Sequence, residues 1–403
     1  MIHVRTGTVR SPFQPAQTMS SIHKLLAAAL CVSVFSAVAA PQACVAPSAP
    51  RAEAAALVDA SARLLAGLTP ADVHGTQISA MPWWSEHARA MDAAWARKSE
   101  RQLATWRAFA AREIDANESA RAALFYPFSG PDFLYAHTLF PRARGYLLAG
   151  LEAPGAAPRW TAMTEAQAAA SLAQLRQSTS TLLNLSFFRT ESMKVDLRRG
   201  QLTGVAPVLM AMAARAGFEV RAVDPVYLDD SGALCVGAAA AERIGGVRLA
   251  LTAPGVAAVR DLVYLRVDLG DRALAGTPQF ERHVKRMGQG PVFLKAASYL
   301  MHKPAFSTVR GMVLDRAGLV VQDDSGIPFQ AFPSTQWDGR LFGTYAKPIP
   351  MFRDWTQQAL REAYAREARP LETGIGYSHR RGTSNLQLFE KRRNAMLQRT
   401  AMQ

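Results

Sequence analysis

The chain has 403 residues, an apolar fraction of 49% and a formal net charge of +14, enough length for one large domain or two moderate ones. The ordinary apolar content excludes a disordered chain, and beyond residue 40 no apolar run is long enough to cross a bilayer as a helix. The basic excess does not point to nucleic acid, because the basic residues are mostly Arg and lack the interleaved aromatics that stack bases.

Lys24 precedes an apolar run, Leu25–Ala40, that contains the small-x-small pattern Ala37-Val38-Ala39. A positive flank, a short apolar stretch and small residues read as a secretory signal peptide. It begins near Met19 and is cleaved near Ala39, with residues 1–18 as an upstream extension, so the expected location is periplasmic or secreted. Removing residues 1–39 takes away Arg5, Arg10 and Lys24 and no acid, which leaves 43 basic against 32 acidic residues. Residues 40–52 form a Pro/Ala-rich flexible leader. Cys44 and Cys235 remain after cleavage; they can pair in an oxidising compartment, or Cys44 can carry a lipid, the only membrane contact expected apart from the signal itself.

Residues 53–117 read as a helical N-terminal segment. Glu53–Leu68 is a first helix, and Ser85–Ala116 is a long helix or kinked pair. Trp84, Ala88, Met91, Trp95, Leu103, Trp106, Ala110 and Ile114 fall on one face of it and are expected to pack as core. From residue 118 to 376, strand-length apolar runs alternate with helices, which predicts an α/β domain with a mostly parallel or mixed three-layer, Rossmann-like sheet. Strands are expected at Ala122–Phe128, Gly145–Leu151, Phe218–Val223, Val247–Thr252, Leu262–Val267 and Leu319–Gln322. Helices are expected at Asp132–Leu139, Met163–Leu183, Thr203–Ala216, Pro278–Met287, Phe293–His302 and Trp355–Arg366. Met312–Leu314 is expected to pair with Leu319–Gln322 as a hairpin. Residues 377–403 read as a frayed basic tail, with Arg380, Arg381, Lys391, Arg392, Arg393 and Arg399 against Glu390.

Several of these strands run into acids: Asp132 after Ser129-Gly130-Pro131, then Glu152, Asp224, Asp268, and Asp323-Asp324-Ser325. In an open parallel sheet the strand C-termini share one edge, and ligands bind there. Ser129, Gly130, Asp132, Glu152, Asp224, Asp268, Asp323, Asp324 and Ser325 are therefore the candidate ligand-binding residues. The plainer reading of each is turn chemistry, since Asp, Ser and Gly suit strand ends. Adjacent Asp323 and Asp324 hold a cation or share a proton only if a turn brings both to one cavity.

No zinc-spaced Cys/His set, Gly-x-Ser-x-Gly elbow or His-Glu-x-x-His occurs, so no metal, cofactor or catalytic residue is assigned. Ser129 or Ser325 with His302 and one of the acids makes a triad on paper only. Tyr345, Trp337, Trp355 and Phe352 form an aromatic-rich stretch of the kind that lines sugar sites or closes a core.

Residues 122–152, with Tyr126-Pro127-Phe128-Ser129-Gly130-Pro131-Asp132, a helix, a second strand and Glu152, resemble the first half of the Rossmann-like methyltransferase fold. That resemblance implies an anion at the helix start and ribose hydroxyls at Glu152. Through segments such as Tyr126–Ala136 and Val321–Phe329 the chain is also similar to uncharacterised exported bacterial α/β proteins, which implies no mechanism. The expected function is the binding of a small polar ligand or an envelope partner at the strand-end edge. The alternative is an enzyme, a hydrolase or methyltransferase-like relative, using Asp132, Glu152, Asp323 and Asp324.

Overall fold

A computed structural model describes residues 44–48, 51–70, 77–185, 201–240, 243–378 and 382–392. The signal region and Arg380, Arg381, Arg393 and Arg399 lie outside these residues. The sheet consists of β1 (Leu124–Tyr126), β2 (Gly145–Gly150), β3 (Glu219–Leu228), β4 (Leu234–Val236), β5 (Gly245–Thr252), β6 (Val259–Arg266), β7 (Gly290–Leu294), β8 (Ala317–Gln322), β9 (Trp337–Gly343) and β10 (Asn385–Lys391). Their spatial order is β4-β3-β5-β6-β2-β1-β7-β8-β10-β9. The central run β6-β2-β1-β7-β8 is parallel throughout. Both flanks are antiparallel, and the sheet is mixed, with more antiparallel than parallel neighbour pairs among the described residues.

The central strands are apolar on both faces, so alternate residues enter different cores. Leu124, Tyr126, Leu148, Tyr264, Phe293, Leu319 and Val321 join one cluster. It includes residues of α1 (Ala52–Ala66), α2 (Pro82–Lys98), α3 (Ala104–Glu113), α4 (Phe133–Leu139), α5 (Glu165–Leu185) and α6 (Ala206–Arg215). Phe125, Leu147, Leu265, Val292, Leu294 and Val320 join the other, with residues of α7 (Asp271–Ala275), α8 (Pro278–Arg286) and α9 (Ser307–Arg316). α10 (Gln358–Glu367) packs Leu360, Ala363 and Tyr364 against Leu341 and Tyr345. The N-terminal helices thus share a core with the sheet, and the described residues from Cys44 onward cluster as one unit. The Trp-bearing face is buried at Trp84, Met91, Leu103, Trp106, Ala110 and Ile114. A π-helical turn at Ser99–Leu103 joins α2 to α3 and lets one face continue through both.

Four expectations are corrected. Phe293–His302 is not an α-helix: Val292-Phe293-Leu294 ends β7, and a loop follows that closes in a single 3-10 turn at Leu300–His302. A short apolar run buried on both sides has no period to tell strand from helix. Met312–Leu314 is not a hairpin arm but part of α9, whose Val309, Met312, Val313 and Arg316 recur at helical spacing and are buried. The strand expected to stop at Val223 continues through Asp224 to Leu228. Finally, the segment after Tyr377 contains β10, inserted between β8 and β9, so charge in that segment conceals a sheet strand.

A candidate ligand edge at the C-terminal ends of the parallel strands

β1 ends at Tyr126, and the loop after it bends through left-handed Phe128 (φ 59°) and Gly130 (φ 55°). The Ser129 N–H donates to the Ala149 carbonyl at 3.0 Å, and this ties the loop to the end of β2. Asp132 then caps α4, its Oδ1 accepting from the Tyr135 N–H at 3.2 Å. Its Oδ2 accepts from Tyr126 Oη at 2.9 Å and forms an ion pair with Lys295, the residue that follows β7. Both side chains are almost wholly buried, at 1% and 2% exposed.

Burial pushes the Asp132 carboxyl up and the Lys295 ammonium down, and each partner's charge opposes the shift of the other. Lys295 Nζ also lies 3.9 Å from the Tyr135 ring centroid, and Lys98 Nζ of α2 lies 5.3 Å from the same centroid. Burial, reinforced by Lys295, lowers Lys98 to about 7, with Asp132 pulling the other way.

Beside this cluster lies the turn after β8. Asp323 accepts from Ser325 N–H at 3.0 Å and Ser325 Oγ on Oδ1, and from the Ala296 N–H at 2.8 Å on Oδ2. Asp324 accepts from Tyr299 Oη on Oδ2 and from Asn385 Nδ2 at 2.8 Å on Oδ1. The two carboxylates therefore hold different partners, and every carboxylate oxygen has a donor. Burial, and next the Asp324 charge, pushes Asp323 up to about 7. Gly376 crosses so close that a Cβ there would lie 2.0 Å from Asp323 Oδ2.

The wrap around this turn requires an unusual backbone. Ala296, Ser298 and Tyr299 all have left-handed φ, between 52° and 56°. With Phe128 they are the non-glycine residues of positive φ among the described residues, and all lie in the loops after β1 and β7. Such strain persists only where its surroundings fix it. Here the donors are Ala296 N–H to Asp323, Ala297 N–H to Ser325 Oγ at 2.8 Å and Tyr299 N–H to the Ser325 carbonyl at 3.1 Å.

At the end of β2, the Glu152 carboxylate accepts from Tyr264 Oη at 2.9 Å. Gly150 leaves room for it, since a Cβ there would lie 2.6 Å from Glu152 Oε2. Ser129, Gly130, Asp132 and Glu152 are thus brought together, and Asp323 reaches the same cluster through Lys295, whose charge it stabilises. Asp224 is separate. It lies in mid-strand and pairs with Arg248 at 2.8 Å, and Arg248 also pairs with Asp261. Asp268 is exposed and accepts from the Gly270 N–H at 2.9 Å.

Beyond Glu152, the same edge opens into a cavity of about 860 Å³ whose lining includes Leu151, Arg243, Arg266, Val267 and Asp268. Its volume is in the range of small-molecule sites.

The paper triad does not assemble. Ser129 Oγ is directed at the Ala149 carbonyl and Ser325 Oγ at Asp323, while His302 packs against Tyr299 and Trp355. The aromatic stretch is dispersed: Trp337 packs on Phe332, Tyr345 on Tyr364, and Phe352 on Tyr299 and Tyr377. Cys44 and Cys235 form a disulfide. Together with Asp229 they are the group with metal-ligand spacing among the described residues, but their sulfurs are bonded to each other.

Sequence reasoning missed Lys98, Lys295, Tyr299 and Asn385. One signal was available for Lys295. Only eight of the 46 basic residues are Lys, and this one directly follows the apolar run Val292-Phe293-Leu294. No known family matches the chain, and no curated protein matches it.

Proposed function

We propose that this is an exported protein that binds a small polar molecule at the C-terminal edge of its parallel strands, in the cavity beside β6. The observation that carries the reading is that cavity, which opens at the strand ends next to Glu152 and includes Asp268 in its wall. Strand order supports it. Numbered by their order in the chain, the five parallel strands run 3-2-1-4-5 across the sheet, the order of doubly wound, three-layer Rossmann-like folds. In such folds ligands bind outside the strand C-termini, near the point where the order reverses. Here the reversal falls between β1 and β7, where Asp132, Lys295 and Tyr126 fill the crevice themselves, so the open space lies one step along the same edge.

Export is supported by the Cys44–Cys235 disulfide, which suits an oxidising compartment. Cys44 lies five residues after the expected cleavage point at Ala39. A sulfur in a disulfide carries no thioether lipid, so the linkage favours an unlipidated, exported chain.

An enzymatic reading, including a methyltransferase-like relative, is favoured by Lys98, lowered to about 7 beside Lys295, and by the strained loops at the strand ends. It ranks second because Asp132, Asp323 and Asp324 already accept from internal donors.

The test is thermal unfolding of residues 40–403 against a panel of nucleosides, sugars, phosphate esters and divalent metals. A compound at ~100 times its dissociation constant adds about 2.7 kcal/mol to stability. The reading expects at least one compound to raise the midpoint, and Ala240→Trp, which adds an indole at a lining position of the cavity, to abolish the shift. A shift that survives Ala240→Trp, or none across the panel, contradicts it.

A further inference from the structure

The lining of the cavity narrows the chemistry of what it holds. Arg243 and Arg266 both contribute to the wall, and neither is paired with a carboxylate among the described residues. Elsewhere in the protein Arg215, Arg248 and Arg340 each hold an acid at 2.6 to 2.8 Å. The Arg243 guanidinium is seated 5.2 Å from the Tyr227 ring centroid, which fixes its position without neutralising it. The acid in the wall, Asp268, is turned into its own loop by the Gly270 N–H. The rest of the wall is apolar or bare backbone. Leu151 is 46% exposed at the rim, and Val267 and Val226 lie below it. Gly246 keeps the floor flat against β6, since a Cβ there would lie 2.2 Å from the Tyr264 carbonyl oxygen.

Two guanidiniums without carboxylate partners among the described residues, beside an apolar wall, fit a molecule with a charged head and an apolar body. We propose that the cavity takes a small amphipathic anion, with a carboxylate, sulfonate or phosphate head on Arg243 and Arg266 and its apolar body against Leu151 and Val267. This rests on the reading that the edge binds a small molecule and adds the sign and shape of that molecule. Guanidinium is suited to the task because its planar fork binds such heads through two parallel hydrogen bonds.

The test uses two fluorescent probes on residues 40–403 with the disulfide intact. The first is 8-anilinonaphthalene-1-sulfonate, and the second is N-phenyl-1-naphthylamine, the same aromatic body without the sulfonate. The sulfonate is expected to bind with one-to-one stoichiometry and about tenfold or more tighter than the neutral amine, the scale of a charge-assisted hydrogen bond. Arg243→Gln and Arg266→Gln are each expected to weaken the sulfonate severalfold and leave the amine unchanged. Ala240→Trp should remove both, with circular dichroism and thermal midpoint unaltered. If the amine binds as tightly as the sulfonate and both Gln variants are silent, while Ala240→Trp removes both, the anion inference is overturned and the edge still binds small molecules. If neither probe binds, or both survive Ala240→Trp, the anion inference fails, and the reading that the edge binds a small polar molecule is decided separately by the panel of nucleosides, sugars, phosphate esters and metals.

Discussion

Asp132 and Lys295 place opposite charges where water has almost no access, and such a pair is costly to break from one side only. Asp132→Asn or Lys295→Met should each cost about 3–5 kcal/mol by urea unfolding, because the remaining group is left buried without its partner. The double variant Asp132→Asn/Lys295→Met should cost less than the sum of the singles.

Titration gives a second expectation at this scale. His87 and His137 are buried and pushed down to about 4, so they stay neutral when folded at pH values where the unfolded chain protonates them. Their contribution is complete above the ordinary histidine value and is lost as pH falls toward 4. Asp323 runs the other way. Raised to about 7, it favours the folded state below the ordinary carboxyl value, and that contribution is lost as pH rises through 7. Asp132 and Asp324 are raised as well and act in the same sense as Asp323, so the histidine contribution is read by difference, as the part of the fall in urea midpoint between pH 6.5 and 4 that depends on the imidazoles. His137→Phe, which keeps the packing on Phe133 and Phe218, should flatten that fall. An unchanged slope in His137→Phe would remove the assignment.

Among the elements, β7 and its loop are the most informative. The left-handed run at Ala296, Ser298 and Tyr299 clasps the β8 turn through three backbone donors, so Asp323 and Ser325 serve the loop as anchors. Ala296→Gly relieves a strained φ and should leave stability unchanged or raise it by up to about 1 kcal/mol. Ala149→Gly, in a buried strand of ordinary φ, should lower stability by about 1 kcal/mol or more in the same urea assay. Elements whose pattern was local were legible in the sequence. β2, β5, β6 and α5 lie within a few residues of where apolar runs and turn residues put them. β7 and β10 were not, because their sides are covered by distant parts of the chain. In β10, Leu386 and Leu388 enter one core, Phe389 enters the other, and Gln387 Oε1 accepts from Gln322 Nε2 at 3.1 Å. Nothing within a few residues of Gln387 announces that partner. The same reason applies to the site. Asp132, Glu152 and Asp323 could be listed as strand-end acids, but their pairing with Lys295, Tyr264 and Ala296 is a product of folding. A chain ending at Tyr377 loses the strand between β8 and β9 and should show no cooperative unfolding transition.

For the molecule as a whole, the disulfide joins positions 191 residues apart and fixes the start of the described chain to β4, where the Val236 N–H donates to the Val45 carbonyl at 2.8 Å. This covers part of an edge strand that would otherwise offer unpaired groups. Closing so long a loop restricts the unfolded chain, and reduction should lower stability by about 2–4 kcal/mol. The fall in midpoint with reductant should be absent in Cys44→Ser/Cys235→Ser, which starts from the lower value. The linkage also stands next to the cavity, since Gly237, two residues after Cys235, is part of its wall.

The central claim is that one sheet edge is divided into a framework, filled by Asp132, Lys295 and Asp323, and an open site beside β6. The most direct measurement is a paired thermal unfolding experiment on Asp132→Asn and Ala240→Trp, each with and without a compound that stabilises the parent protein. The account predicts that Asp132→Asn lowers the midpoint sharply yet keeps its ligand-induced shift below that midpoint, whereas Ala240→Trp keeps the midpoint and loses the shift. The reverse pattern, with Asp132→Asn stable but unresponsive and Ala240→Trp still responsive, would place the ligand at the β1–β7 crevice and contradict the account.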